Sequence, residues 1–293
     1  VTTGTVVSDR QYGEVEFLAP RTWDEALAAR AAHPDALPIA GGTDVMVELN
    51  FDRRRPPALL DLSRVADLAE WGADGPVLRI GAGVTYRQLI DDLGDRLPGL
   101  AMAARTVGSP QIRNRGTVGG NLGSASPAGD AHPPLLAAGA VVEVASVRGV
   151  RHIPIAEFFT GPKRNVLAAD ELIAAVLVPP APGPQQFAKV GTRNAMVIAV
   201  CSFAISLDVP ARRVGTGIGS AAPTPIRAYQ AEEFLASAAD WEADLPDRVV
   251  ERFGELVAGA ASPIDDVRGT AEYRRRALAV LARRTLGWAW RQR

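Results

Sequence analysis

The chain has 293 residues, 47% of them hydrophobic and 22% charged, with a formal net charge of −1. That length gives room for about two domains with real cores, and the near-neutral balance argues against nucleic acid or an anionic membrane as main partner. No apolar run approaches the ~18 residues of a membrane span and the N-terminus lacks a basic-then-apolar signal, so a soluble, cytoplasmic protein without nucleic-acid partners is expected.

In chain order, Val15–Pro20 reads as a short strand, and Thr22-Trp23-Asp24-Glu25 has the capping-box pattern that opens a helix to about Ala32. Leu37–Ala40 is a strand running into Gly41-Gly42-Thr43-Asp44, and Leu59–Leu62 is another, reached through the polar Asp52–Pro57 turn. The three arginines of that turn read as a solvated loop rather than an anion site. Val77–Ala82 alternates like a strand, and Thr85–Leu93 like a helix. Thr117–Asp130 is a second glycine-rich stretch, read as a loop, followed by a strand at Ala140–Ala145. A helical patch at Ile155–Phe159 and a strand at Glu171–Val178 come next. Pro179–Pro184 marks a boundary, since four prolines in six residues suit neither helix nor strand. Strands at Phe187–Val190, Val197–Leu207 and Arg213–Ile218 then precede helices near 232–239, 247–260 and 270–290.

The two glycine stretches carry the chemistry. Paired glycines remove Cβ atoms, so backbone amides can lie directly against a bulky anion such as a pyrophosphate. Thr43, Thr117 and Ser124 add hydroxyl donors, and Asp130 could accept from a ribose or ribityl hydroxyl. A pair of such stretches suggests a dinucleotide cradle. Gly215-Thr216-Gly217-Ile218-Gly219 imitates a dinucleotide fingerprint, but Pro223 and Pro225 stand where its helix should begin, so no nucleotide role is assigned there.

Other residues exclude more than they assign. The lone Cys201, in an apolar run, can neither form an internal disulfide nor hold an iron–sulfur cluster, and is read as core packing. His33, His132 and His152 lack metal-ligand spacing and are expected in loops or on the surface. Of the 32 basic residues only Lys163 and Lys189 are lysine. Redox chemistry in such a chain must come from an organic cofactor.

Beyond these readings, the chain resembles the FAD-binding medium subunit of molybdenum hydroxylases, the family of xanthine dehydrogenase and aerobic carbon monoxide dehydrogenase. The resemblance rests on Ala40–Asp44, Val107–Asn121, Ser126-Pro127 with Asp130, Phe187–Arg193, Ala222–Arg227 and Tyr273-Arg274-Arg275. It implies an α+β chain. Two subdomains of the vanillyl-alcohol-oxidase (PCMH) type, 1–66 and 67–183, would clasp FAD, with a small C-terminal α/β domain at 184–293. The resemblance places Ile39, Ala40, Gly41, Gly42, Thr43, Asp44 and Val45 around the pyrophosphate. It places Thr117, Gly119, Gly120 and Asn121 on the second phosphate and ribityl face, with Asp130 on a hydroxyl. Val107 and Ile173 would border the adenine or flavin walls, and Lys189 would lie near the pyrimidine side of the flavin, with Arg193 in the same loop. Related chains often carry an acid where this one has Met196-Val197, which bears on the electron acceptor.

The resemblance further implies that FAD is bound non-covalently, because neither glycine stretch holds a His or Cys for attachment. The molybdenum cofactor and [2Fe-2S] clusters would sit in two partner subunits, in a dimer of heterotrimers. This chain would pass electrons from those clusters to NAD+, oxygen, quinone or another acceptor, with no catalytic acid, nucleophile or metal of its own. Two other readings stand beside it: a free-standing flavin oxidase of the same superfamily, and a cofactor-free assembly or binding protein.

Overall fold

A computed structural model describes residues 15–293, so the N-terminal signal reading and the start of the 1–66 segment lie outside the described residues. The first elements are Glu16–Leu18 (β1), Trp23–Ala32 (α1), Leu37–Ile39 (β2), Val45–Asn50 (α2) and Ala58–Asp61 (β3). Thr22 caps α1 through the expected box: its hydroxyl accepts from Glu25 N at 3.2 Å while the Glu25 carboxylate reaches back to Thr22 N. The three strands form a parallel sheet with β3 in the middle. The sheet delivers the first glycine pair at the end of β2.

The next stretch runs Trp71–Asp74 (β4), Val77–Gly81 (β5), Tyr86–Asp92 (α3), Pro98–Arg105 (α4), Pro110–Arg115 (α5), Val118–Ser124 (α6) and His132–Ala137 (α7). It continues with Val141–Ser146 (β6), Gly149–Pro154 (β7), Ile155–Phe158 (α8), Phe159–Gly161 (β8), Arg164–Asn165 (β9) and Leu172–Val178 (β10). A five-stranded antiparallel sheet, ordered β4-β5-β10-β6-β7, backs the helices. β10 is buried almost throughout and pairs on both sides, which its unbroken Leu-Ile-Ala-Ala-Val-Leu-Val run allows. One apolar core joins both stretches, from Ala26 and Leu60 to Leu122, Phe158 and Val178.

The last stretch has Gln185–Val190 (β11), Cys201–Asp208 (β12), Arg213–Gly219 (β13), Tyr229–Ala238 (α9), Asp247–Ala260 (α10) and Ala271–Trp290 (α11). Its three strands form an antiparallel sheet covered by the helices, around a second core that includes Phe203, Phe253 and Trp290. Cys201 lies fully buried in that core, its thiol pushed up to about 12 by burial, so it is an inert packing residue. Among the described residues no helix is long and apolar enough to cross a membrane, and no cluster could hold a metal ion.

Two expectations need correction. The second glycine stretch is not a loop: 118–124 is helix α6, capped by Thr117, whose hydroxyl accepts from Gly120 N at 2.9 Å. His132 is not at the surface but fully buried at the start of α7, its ring tilted against Phe159 with centroids 4.5 Å apart.

The decoy glycines of β13 have a packing role instead. Successive side chains of a strand alternate between faces, so Gly215, Gly217 and Gly219 share one face. A Cβ there would strike the Ala137 carbonyl, the Pro133 carbonyl and the Pro133 ring in turn, so the bare strand seats α7 and docks the last sheet onto the rest. On the other face, buried Thr216 binds Glu232 Oε1 through its hydroxyl (2.6 Å) and its amide (2.9 Å), and Arg227 pairs with the same carboxylate. Gly217→Val should therefore lower stability by about 2 kcal/mol or more by prising α7 off the sheet. Gly259→Ala, in α10 with open space around it, should be neutral or stabilising. Urea midpoints of the two variants check this.

Candidate functional site

The glycine pairs meet across one cavity of about 840 Å³, walled by the β2–α2 turn, α3, the α5–α6 junction, the 126–130 turn, the start of β10 and residues 196–198. Within each pair the two glycines do different work. A Cβ on Gly41 would collide with the Arg115 carbonyl, and one on Gly119 would lie 2.5 Å from Ala82 Cβ and 2.6 Å from its oxygen. These glycines let backbone touch backbone. Gly42 and Gly120 face looser surroundings. Gly42 sits at φ +76°, where a side chain is strained, and a Cβ on Gly120 would meet only the Thr117 hydroxyl, at 3.0 Å.

The seam between the pairs is close-packed. Tyr86 N donates to Gly116 O at 3.0 Å, and a Cβ on Gly116 would touch the Tyr86 ring at 3.4 Å and Thr43 Oγ1 at 3.6 Å. Burial, with Asp130 and Asp44 behind it, keeps the Tyr86 hydroxyl well above its ordinary pKa, so it stays protonated.

Of the residues expected at the site, Ala40, Gly41, Gly42, Thr43, Asp44, Val45, Val107, Thr117, Gly119, Gly120, Asn121, Asp130 and Ile173 all line this cavity. Ile39 and Lys189 do not. Ile39 stands behind Gly42, with its carbonyl taken by Leu62 N at 2.8 Å. Lys189 is buried on β11: its side chain is 9% exposed, and its ammonium donates to Asp130 Oδ2 at 2.6 Å, Thr106 O at 2.9 Å and Val197 O at 3.2 Å. Lys189 therefore reaches the cavity through Asp130. Burial pushes the Asp130 carboxyl up from its usual range, and Lys189 and then Thr106 pull it back. Arg193 is exposed and folds back onto Met196 O.

Sequence reasoning missed several wall residues. Tyr86 and the Arg115–Gly116 backbone gave no signal beyond their place in helix and motif. Glu48 on α2 holds an ion pair with Lys163, in the turn between β8 and β9, and Arg54 stands 3.8 Å away; all three line the cavity. Arg54 itself is exposed, with 55% of its side chain accessible. Lys163 had been visible only as one of two lysines.

The residues present fit a dinucleotide. Two Cβ-free surfaces lie next to hydroxyls, while apolar Val107, Ile173 and Val197 supply walls for a ring system. Asn121 Oδ1 and Asp130 Oδ1 are buried acceptors with no hydrogen-bond partner among the described residues.

Comparison with known proteins agrees with this geometry. Residues 13–181 match the FAD binding domain in molybdopterin dehydrogenase, and residues 186–289 match the CO dehydrogenase flavoprotein C-terminal domain. The chain is 34% identical to the xanthine dehydrogenase FAD-binding subunit of Escherichia coli O157:H7, over 92% of this chain and 93% of that one. It is 34% identical to the nicotinate dehydrogenase FAD-subunit of Eubacterium barkeri, over 77% and 80%. Reconstituted CO dehydrogenase from Oligotropha carboxidovorans contains a chain that superposes with a TM-score of 0.89 at 26% identity, covering 96% of this chain and 99% of that one.

Two outcomes follow from the geometry. Gly120→Val should leave a folded chain that no longer holds a dinucleotide, whereas Gly119→Val should fail to fold because Ala82 blocks it; circular dichroism with bound-cofactor absorbance separates the two. His132 donates from Nε2 to Asn121 O at 3.2 Å, and burial lowers its pKa to about 4. The unfolded chain, with an ordinary His pKa of about 6.5, therefore takes up a proton that the folded chain refuses. Stability from this group is intact above pH ~6.5 and falls as pH drops toward 4, by about 3 kcal/mol in all. His132→Leu should remove most of the fall between pH 6.5 and 5 in urea melts.

Proposed function

Because the chain belongs to the family of FAD-binding subunits of molybdopterin dehydrogenases, we propose that it is the electron-transfer medium subunit of a molybdenum hydroxylase. In this reading it is an oxidoreductase subunit active only in complex, in the cytoplasm, with a molybdenum-cofactor subunit and a [2Fe-2S] subunit, as a dimer of heterotrimers. Electrons arrive from the partner's clusters and leave to NAD+, oxygen, a quinone or another carrier. The single observation that carries the reading is the cavity between two Cβ-free backbone surfaces in a chain matched from residue 13 to residue 289 by the family's two domains.

When bound, FAD supplies the reversible uptake of electrons that no side chain of the protein can perform. The chain's own residues hold and insulate it. Amides from Ala40 to Val45, with Ile39 packed behind them, would bind one side of the pyrophosphate. Thr117, Gly120 and Asn121 would face the other side, with Gly119 packed against Ala82 behind them. Val107 and Ile173 would wall the rings, and Asp130 Oδ1 would accept a hydrogen bond from the cofactor. Lys189 fixes Asp130 and offsets the charge that this carboxylate would otherwise turn toward the cofactor. We also propose the division 1–66, 67–183 and 184–293; the separate core of the last stretch and the proline-rich segment at 179–184 support its second boundary, and the change from one sheet to the next its first.

Acid precipitation should release all the flavin into the supernatant, since no His or Cys among the described residues lines the cavity to attach it. Dithionite should bleach the isolated holo-chain, while purines, aldehydes, N-heterocycles and carbon monoxide should bleach it only after the two partner subunits are added. Flavin retained on the pellet, or bleaching of the lone chain by an organic substrate, would overturn the reading.

A further inference from the structure

The Tyr273-Arg274-Arg275 motif lies on α11, outside the cavity, and the function described so far gives it no role. Arg274 is 4% exposed although it carries a full charge. Its Nη1 donates to two carbonyls, Val200 O and Ser220 O, each at 2.7 Å, and its Nη2 donates to Asp266 Oδ1 at 2.5 Å.

Both carbonyls belong to backbone that leads into the cavity wall. Val200 closes the segment whose residues 196–198 line the cavity. Three cations hold that segment by its carbonyls: Arg193 on Met196, Lys189 on Val197 and Arg274 on Val200. Ser220 donates its amide to Pro127 O at 2.9 Å, within the 126–130 turn that carries Asp130. Met196 and Ser220 are held at φ +50° and +59°, conformations that a non-glycine residue keeps only where its surroundings fix them. Each has its carbonyl taken by an arginine.

We propose that Arg274 is a positioning residue of the cofactor cavity. By binding Val200 and Ser220 with one guanidinium, it sets residues 196–198 and the 126–130 turn, which Lys189 also joins, at a fixed separation in the cavity wall. Asp266, folded against it, orients the guanidinium and balances its buried charge. A planar guanidinium suits the task because its forked donors have fixed directions, whereas a lysine ammonium is a single point. The inference rests on the cavity being the FAD site proposed above.

The test uses the full chain carrying Arg274→Met, Arg274→Lys or Asp266→Asn, followed by amide hydrogen exchange without FAD and by FAD titration. Arg274→Met should speed exchange selectively in 194–200, 219–221 and 126–130, and should weaken FAD binding roughly tenfold, the loss expected for hydrogen bonds to a charged group. Arg274→Lys should recover part of both effects. Asp266→Asn, outside the core, should show the same selective exchange on a smaller scale and serves if Arg274→Met does not fold. Unchanged exchange in those three segments, or acceleration spread evenly through β12, α10 and α11, would overturn the assignment. Failure of the wild-type chain to bind FAD would count against the FAD reading alone, because exchange in the FAD-free chain decides the role of Arg274 separately.

Discussion

The cavity depends on backbone lying against backbone where two turns of chain cross. Gly41 lies on the Arg115–Gly116 peptide and Gly119 lies on Ala82, closer than any side chain would permit. Only because these contacts are bare do their neighbours Gly42 and Gly120 come to face a common space. Glycine is unfavourable in a helix by about 1 kcal/mol relative to alanine, so α6, with three of them in seven residues, cannot owe its helix to propensity. Its Thr117 cap, the bond from Gly119 N to Ala82 O at 2.9 Å and burial of Val118 and Leu122 supply what the glycines withhold.

Electrostatics reinforces the same arrangement. The two lysines of the sequence each tie one stretch of the chain to another at this cavity: Lys163 reaches Glu48 on α2, and Lys189 reaches Asp130 from β11. The pairs differ in kind. Lys163 is 61% exposed, and its pairing with Glu48 is worth at most about 1 kcal/mol in water. Lys189 and Asp130 are about nine-tenths buried, so losing either would leave an uncompensated charge or an unmet donor in the wall.

What could be seen in advance follows from how local each signal is. The Thr22 box and the Thr85 start of α3 were legible because an N-cap and its third neighbour lie within one turn. β10 and β12 were legible as long apolar runs. α6 was hidden, since what makes it helical lies 37 residues back at Ala82, and α7 because six residues opening on His-Pro-Pro carry no helical period. At the site, the sequence pointed to Gly42 and Gly120 as the positions facing the cofactor, but not to the contacts that press Gly41 on Arg115 and Gly119 on Ala82. The partners of Lys189, and the burial of His132 against Phe159, are long-range facts that spacing does not encode.

The ion pairs that close the cavity also carry a statement about time. Glu48 and Lys163 are 115 residues apart, and Asp130 and Lys189 are 59 apart. Contacts so distant in the chain form late, after the entropy of closing long loops has been met. During synthesis the first glycine pair emerges long before residues 196–198, so the finished wall cannot exist until that later segment has left the ribosome. The contacts between the glycine pairs, Gly41 on Arg115 and Gly119 on Ala82, need only the first 119 residues, so the cradle precedes the wall that completes it.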